Sequence, residues 1–156
     1  MRVMVTGHKG YIGTILVPML LADGHEVVGY DSDLNRRCTF GDGIIGIPEI
    51  QKDVREAERA DFEGVNAVMH LAGLSNDPLG DLNPELTYEI NYKASIRLAE
   101  LAKDAGVGRF IFSSSCSNYG AAGDDLIDEN GAFNPVTPYG ESKVLVERDL
   151  AALADE

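Results

Sequence analysis

Tyr139 and Lys143 stand four residues apart in the segment Pro138-Tyr139-Gly140-Glu141-Ser142-Lys143. On a helix that spacing puts a phenol and an ammonium on one face. An unperturbed phenol titrates near ~10 and is a poor base at neutral pH. A neighbouring ammonium, joined by the positive nicotinamide of an oxidised cofactor, stabilises the phenolate and turns the phenol into a usable base. Ser113-Ser114-Ser115 lies about 24 residues upstream, where a hydroxyl can orient a substrate alcohol. Ser115 is the first choice among the three and Ser114 the second. About 130 residues before the tyrosine, Thr6-Gly7-His8-Lys9-Gly10-Tyr11-Ile12-Gly13 reads as a glycine turn that holds a dinucleotide's pyrophosphate. Each motif alone is weak. Together they point to nicotinamide redox chemistry.

Within the glycine turn, Gly7 permits the sharp bend, Gly10 lets backbone amides approach the pyrophosphate, and Gly13 allows close packing of helix on strand. The positive end of the helix dipole faces the phosphates. The spacing is G-x-x-G-x-x-G, not the G-x-G-x-x-G of ordinary dehydrogenases. Asp31, at the end of the second apolar run, is placed to accept from both adenosine ribose hydroxyls, which favours NAD over NADP. Arg36 and Arg37 follow closely and can reach a phosphate. Asp53-Val54 is placed to receive the adenine, or else is a plain turn at a strand end. His70 reads as a packed strand residue and His8 as a solvated one.

These residues need elements to hold them. Apolar runs at Arg2–Thr6, Glu26–Tyr30, Ile47–Gln51, Asn66–Leu71 and Arg109–Ser113 read as strands. Helical stretches are expected at Tyr11–Asp23, bent by Pro18, then at Glu85–Ala105 and Tyr139–Ala154, with a short one at Arg55–Asp61. Ser32–Gly46 and the stretch from Gly73 to Asn83 read as loops. Continuous apolar strands alternating with helices mean a parallel sheet covered on both faces. The fold expected is α/β, a Rossmann-like doubly wound parallel sheet with strand order 3-2-1-4-5. The first strand then lies at the switch point, where such sheets bind ligands.

With 156 residues the chain has the size of a single domain. A formal charge of −13 argues against nucleic acid and anionic membrane surfaces as partners. The cluster Asp124, Asp125, Asp128 and Glu129 reads as a solvated loop. No apolar run approaches the ~20 residues of a membrane span, and no secretory leader is evident, so the expected location is the cytoplasm. Cys38 and Cys116 form no disulfide scaffold and no metal-ligand spacing. Cys116 is expected to be reduced and partly buried.

Taken in order, Thr6-Gly-x-x-Gly-x-x-Gly13, Asp31, Asp53-Val54, His70-Leu-Ala-Gly73, Asn91, the Ser113–Gly120 segment and Pro138-Tyr-Gly-Glu-Ser-Lys143 resemble the extended short-chain dehydrogenase/reductases, in their nucleotide-sugar epimerase/dehydratase branch. The resemblance implies a catalytic trio of Ser115, Tyr139 and Lys143. It implies NAD contacts from Gly7, Lys9, Gly10, Tyr11, Ile12, Gly13, Asp31, Asp53, Val54, Leu71, Ala72, Gly73, Asn91, Ser113, Tyr139 and Lys143, and no metal. Sugar dehydratases of that branch carry Thr-Asp-Glu where this chain has Ser115-Cys116-Ser117, so the resemblance leans toward 4-epimerases acting on a nucleotide-sugar. It also implies a homodimer paired through the helices beginning near Glu85 and Tyr139. Members of the branch run to ~300–350 residues with a substrate-gripping second domain. Residues 1–156 are accordingly expected to be an NAD-binding domain without the later strands and substrate domain: the N-terminal part of a longer enzyme, a truncated product, or a protein whose remaining strands come from another chain.

Overall fold

Val3, Met4 and Val5 are buried along a strand whose two neighbours are equally apolar, and this run forms the centre of the sheet. The protein is represented by a computed structural model that describes residues 1–36, 38, 45–120 and 126–154. It divides into two units, Met1–Ala72 with Arg97–Ser113, and Gly73–Ile96 with Ser114–Glu156.

The first unit holds a five-stranded parallel sheet: β1 (Arg2–Thr6), β2 (Glu26–Asp31), β3 (Glu49–Gln51), β4 (Ala67–His70) and β5 (Arg109–Phe112). Their order is β3-β2-β1-β4-β5, the Rossmann-like arrangement expected. Register sets Thr6 beside Tyr30 on one side and beside His70 on the other, so the carboxyl ends of three strands finish level. One face of the sheet is covered by α1 (Gly13–Ala22), where Val17, Leu16 and Leu20 pack on Val3, Val5, Val27 and Ala67. Each such fully buried aliphatic side chain contributes roughly 1.5–3 kcal/mol.

Helix α1 starts two residues later than the sequence suggests, because residues 7–12 turn without continuing a helical ladder. It runs through Pro18 and closes with bonds from the Gly24 and His25 amides to the Leu21 and Leu20 carbonyls, at 3.1 and 3.0 Å. In place of one short helix after Asp53 there are two 3-10 turns, Val54–Glu56 and Arg59–Phe62. Asp53 caps the first, and Glu58 and Asp61 cap the second reciprocally.

The second unit is helical. The stretch expected as a loop before Asn83 contains α2 (Asp77–Leu82), capped by Asn76 Oδ1 accepting from the Leu79 amide at 2.9 Å. Asn83 then caps α3 (Pro84–Thr87), which leads into a π-helical segment, Tyr88–Lys93, and on into α4 (Ala94–Asp104). The last of these crosses from the second unit into the first at Arg97. A 3-10 turn, Cys116–Tyr119, precedes α5 (Pro138–Leu153), which packs against α2, α3, the π segment and that turn. No helix among the described residues is long and apolar enough to cross a membrane.

Candidate active site and cofactor cradle

In the first unit the glycine turn is shaped by atoms that leave no room for a side chain. Gly7 has φ +71°, and a Cβ there would lie 2.9 Å from the Ala72 nitrogen. At Gly13 an added Cβ would come within 2.5 Å of the Gly7 and His8 carbonyl oxygens. The turn is closed by Gly10 N–H donating to the Gly7 carbonyl and fixed to β2 by Gly7 N–H donating to that of Tyr30. Thr14 N–H donates to the Gly10 carbonyl, but the amides of Tyr11, Ile12 and Gly13 find no acceptor among the described residues. Tyr11 is 94% exposed. Three backbone donors without an acceptor among the described residues, at a helix N-terminus, fit a pyrophosphate, so the cradle suits a dinucleotide.

Thr6 ties this turn to β4. Its hydroxyl oxygen accepts from the Leu71 and Ala72 amides, each at 3.2 Å, and lies 2.6 Å from His70 Nδ1. With its acceptor capacity taken by two amides, the hydroxyl donates to Nδ1, which leaves the proton of a neutral His70 on Nε2. His70 is buried beside Phe110 and Phe112, as a packed strand residue should be. Thr6→Val should therefore lower stability by about 2 kcal/mol, by taking the hydroxyl from the Ala72 amide and from His70 Nδ1, while the Leu71 amide keeps the Thr6 carbonyl at 3.1 Å; thermal melting of the variant checks this.

Asp31 accepts from the Lys9 amide at 3.1 Å and from the Asp33 amide at 2.8 Å, one on each oxygen, with lone pairs left for further donors. The Lys9 ammonium is held between Asp33 and Glu49. Burial works against its charge, but the bonds to Glu49 and Asp33 prevail and raise its pKa above the ordinary lysine value. Glu49 is correspondingly lowered, first by the Lys9 bond. Asp53 is committed to Arg55, with contacts of 3.0 and 2.7 Å that hold its carboxyl below the usual range. Val54 beside it is buried. Arg36 is exposed, and Arg37 lies outside the described residues.

His8 corrects the sequence reading. It is 1% exposed and not solvated, because β2 offers Gly29 beneath it: a Cβ there would sit 2.5 Å from ring atoms Cε1 and Nε2. Cys116 is also a correction, being exposed and not partly buried. Asp128 and Glu129 are exposed as expected, while Asp124 and Asp125 lie outside the described residues.

The second unit carries Ser115, Tyr139 and Lys143, the residues expected to do the acid/base work. Thr137 caps α5 through its hydroxyl oxygen, which accepts from Gly140 N–H at 3.1 Å, and Pro138 occupies the first helical position. Tyr139 and Lys143 follow on one face, 9% and 8% exposed, with the ammonium 5.7 Å from the phenol ring centroid. Burial lowers the Lys143 pKa from 10.5 to about 8. Glu147, one turn further along, accepts from the Ser114 hydroxyl and, at 2.7 Å, from Asn118 Nδ2. The Ser114 proton is thereby committed. Ser115 caps the 3-10 turn as an acceptor, taking the Ser117 amide at 3.2 Å, so its own proton remains available for another acceptor. Asn91, buried in the π segment, grips Leu74 at both ends of its amide, 2.7 Å to the nitrogen and 2.9 Å to the carbonyl. Gly73 makes room for it, since a Cβ there would be 2.9 Å from Asn91 Oδ1. Ser113, at the end of the first unit, donates its amide to the His70 carbonyl.

Residues 3–156 match the NAD dependent epimerase/dehydratase family. The chain belongs to that family. The UDP-glucose 4-epimerase of Lactobacillus helveticus is 32% identical over 158 residues, which cover 97% of this chain and 46% of that protein. Among solved structures, TunA, an NAD-dependent NDP-hexosamine 5,6-dehydratase of tunicamycin biosynthesis, superposes with a TM-score of 0.87 at 30% identity. That match covers 98% of this chain and 50% of TunA. The UDP-glucose-4-epimerase of Stenotrophomonas maltophila with bound NAD gives 0.85 at 32% identity, covering 99% and 48%. The chain spans about half the length of the curated epimerase/dehydratase relatives it matches.

His8, Glu49, Asn118 and Glu147, which touch the candidate residues or their neighbours, were not singled out from sequence. Gly29 inside a strand was the available signal for His8, since such a glycine marks a close approach. For Glu147 it was the spacing of four residues beyond Lys143.

Proposed function

We propose that the chain is the cofactor-binding and acid/base part of an NAD-dependent nucleotide-sugar 4-epimerase. The observation that carries this is the buried Tyr139–Lys143 pair on α5, in a chain that also has an open amide cradle at its glycine turn. In this reading Tyr11, Ile12 and Gly13 donate to the pyrophosphate, Asp31 accepts from the adenosine ribose, and Val54 and the residues near Ala72 line the dinucleotide. NAD held by these residues would supply reversible hydride transfer with a sugar carbon, by which the carbon's configuration could be inverted. Ser115 orients the sugar hydroxyl, Tyr139 removes its proton, and Lys143 supplies the positive charge that offsets the phenolate. On the return of the hydride Tyr139 gives the proton back, so acid and base are the same group.

The TunA likeness favours a second reading, dehydration of an activated sugar. Elimination of water needs an acid/base pair besides the tyrosine, and Ser115-Cys116-Ser117 brings no carboxylate to the positions where the sugar dehydratases hold theirs. Epimerisation is therefore the first reading; a reductase, or a module that binds NAD without turnover, stands behind it. We further propose one NAD-binding domain over residues 1–156 and a cytoplasmic homodimer meeting through the helices that begin near Glu85 and Tyr139.

Incubation of UDP-glucose with the protein, alone or joined to a substrate-binding half, should yield the 4-epimer without net consumption of NAD. Formation of a dehydrated keto-sugar instead would replace epimerisation by elimination. Separately, Asp31→Ala should weaken NAD by about tenfold and narrow the gap between NAD and NADP, measured by calorimetric titration with both.

A further inference from the structure

The carboxylate of Glu49 has no part in the cofactor contacts above, yet it is the branch point of a partly exposed polar network around the buried His8 ring. Parallel register sets it beside Gly29. The His8 ring lies in the slot that Gly29 leaves, and His8 Nε2 is 3.0 Å from Glu49 Oε2. A carboxylate only accepts, so Nε2 carries the proton. His8 Nδ1 has no hydrogen-bond partner among the described residues and lies 4.0 Å from Asp31 Oδ2. Glu49 also takes the Lys9 ammonium with both oxygens, at 2.9 and 3.1 Å, while Asp33 takes it at 3.1 Å.

The same two residues, Lys9 and Asp33, donate their amides to Asp31. A phosphate added to a ribose held by Asp31 would thus arrive next to the Lys9 side chain. Among the described residues Lys9 is the one cation in the network; Asp33 and Glu49 hold its ammonium and Asp31 its amide, a surplus of negative charge. Asp33 adopts a left-handed backbone conformation, φ +57°, in the turn after β2. Glu49, by contrast, is in a strand and braced by His8, so it is the firmer of the two clamps.

We infer that Glu49 is a further specificity-determining residue, choosing NAD over NADP by holding the Lys9 ammonium away from service to a 2′-phosphate. The inference rests on the cofactor reading above and adds to it a residue beyond Asp31. Two effects act in one direction: Glu49 occupies the lysine, and its own charge repels the extra phosphate. The clamp is the larger effect, because it decides whether a cation faces the phosphate at all.

The experiment is titration of NAD and NADP into the wild-type chain, Glu49→Gln, and the double variant Lys9→Met/Glu49→Gln. Glutamine removes the charge and keeps one accepting oxygen, which can take both His8 and Lys9 as Oε2 does, while the second oxygen becomes a donor that faces solvent, so thermal melting should stay near that of the wild type. Glu49→Gln should leave NAD affinity within about twofold and raise the NADP-to-NAD affinity ratio about tenfold. In the double variant the ratio should return to near the wild-type value, since the gain runs through Lys9. An unchanged ratio in Glu49→Gln overturns the inference, as does a gain that persists without Lys9, which would mean bulk repulsion alone. Failure of the wild-type chain to bind NAD removes the cofactor reading and this inference with it. Binding by the wild type with an unmoved ratio removes the inference alone.

Discussion

Tyr139→Phe should reduce turnover by about 10³-fold while NAD affinity stays within twofold of wild type, a general acid/base contribution being typically of that size. The phenyl ring keeps the packing against Gly80, whose Cβ position lies 3.1 Å from Tyr139 Cβ, and keeps the face presented to the Lys143 ammonium. Only the hydroxyl is lost. A comparable fall in NAD affinity would mean that the variant had disturbed the cradle; undiminished turnover would remove the tyrosine from the chemistry. Steady-state rates and a cofactor titration on the same preparation separate these outcomes.

Lys143→Met should do two opposite things, abolishing turnover and stabilising the fold. The lysine pKa falls from 10.5 to about 8 through burial, which corresponds to at most about 3 kcal/mol of charge-burial cost at neutral pH. Its folded value lies below its unfolded one, so the unfolded chain binds more protons between pH 8 and 10.5. Stability therefore rises with pH across that window in the wild type, and the penalty is fully present below it. Methionine fills the same space without the charge, so the variant should melt several degrees higher at neutral pH. The advantage should shrink as pH climbs past 8 toward 10.5. Melting curves of both proteins over that range give the answer. A variant that is less stable at pH 7 would show that the ammonium is held by favourable interactions outweighing its burial.

The sheet was legible because a parallel sheet covered on both faces writes itself as unbroken apolar runs, and Val3–Val5, Val27–Val28 and Ala67–Val68 are such runs. Helix α2 was not, because Asn76, Asp77, Pro78 and Gly80 are loop-forming residues in isolation. They become a capped helix only once Asn76 accepts from Leu79 and Thr87 donates to the Gly80 carbonyl. The π segment was invisible too, since Tyr88–Lys93 differs from ordinary helix in its hydrogen bonds and not in its composition. Within the candidate site, glycines and the tyrosine–lysine spacing are local patterns and could be read directly. The His8–Glu49–Lys9 network joins residues about 40 positions apart. Such a contact follows from strand register, which no single stretch of sequence contains. Asp53 reads from sequence as a residue at a strand end that receives the adenine or only makes a turn, and its bonds to Arg55, two residues on, come from a side-chain conformation that sequence does not state.

NAD is expected to be held by its pyrophosphate on the amides of Tyr11, Ile12 and Gly13. The direct measurement is a nitrogen–proton correlation spectrum of the chain during titration with NAD. Those three amides, together with Lys9 and Asp33 beside Asp31, should show the largest shifts, saturating together with one dissociation constant. Saturating NAD that leaves the three amides unmoved, or that perturbs only residues remote from the glycine turn, would contradict it.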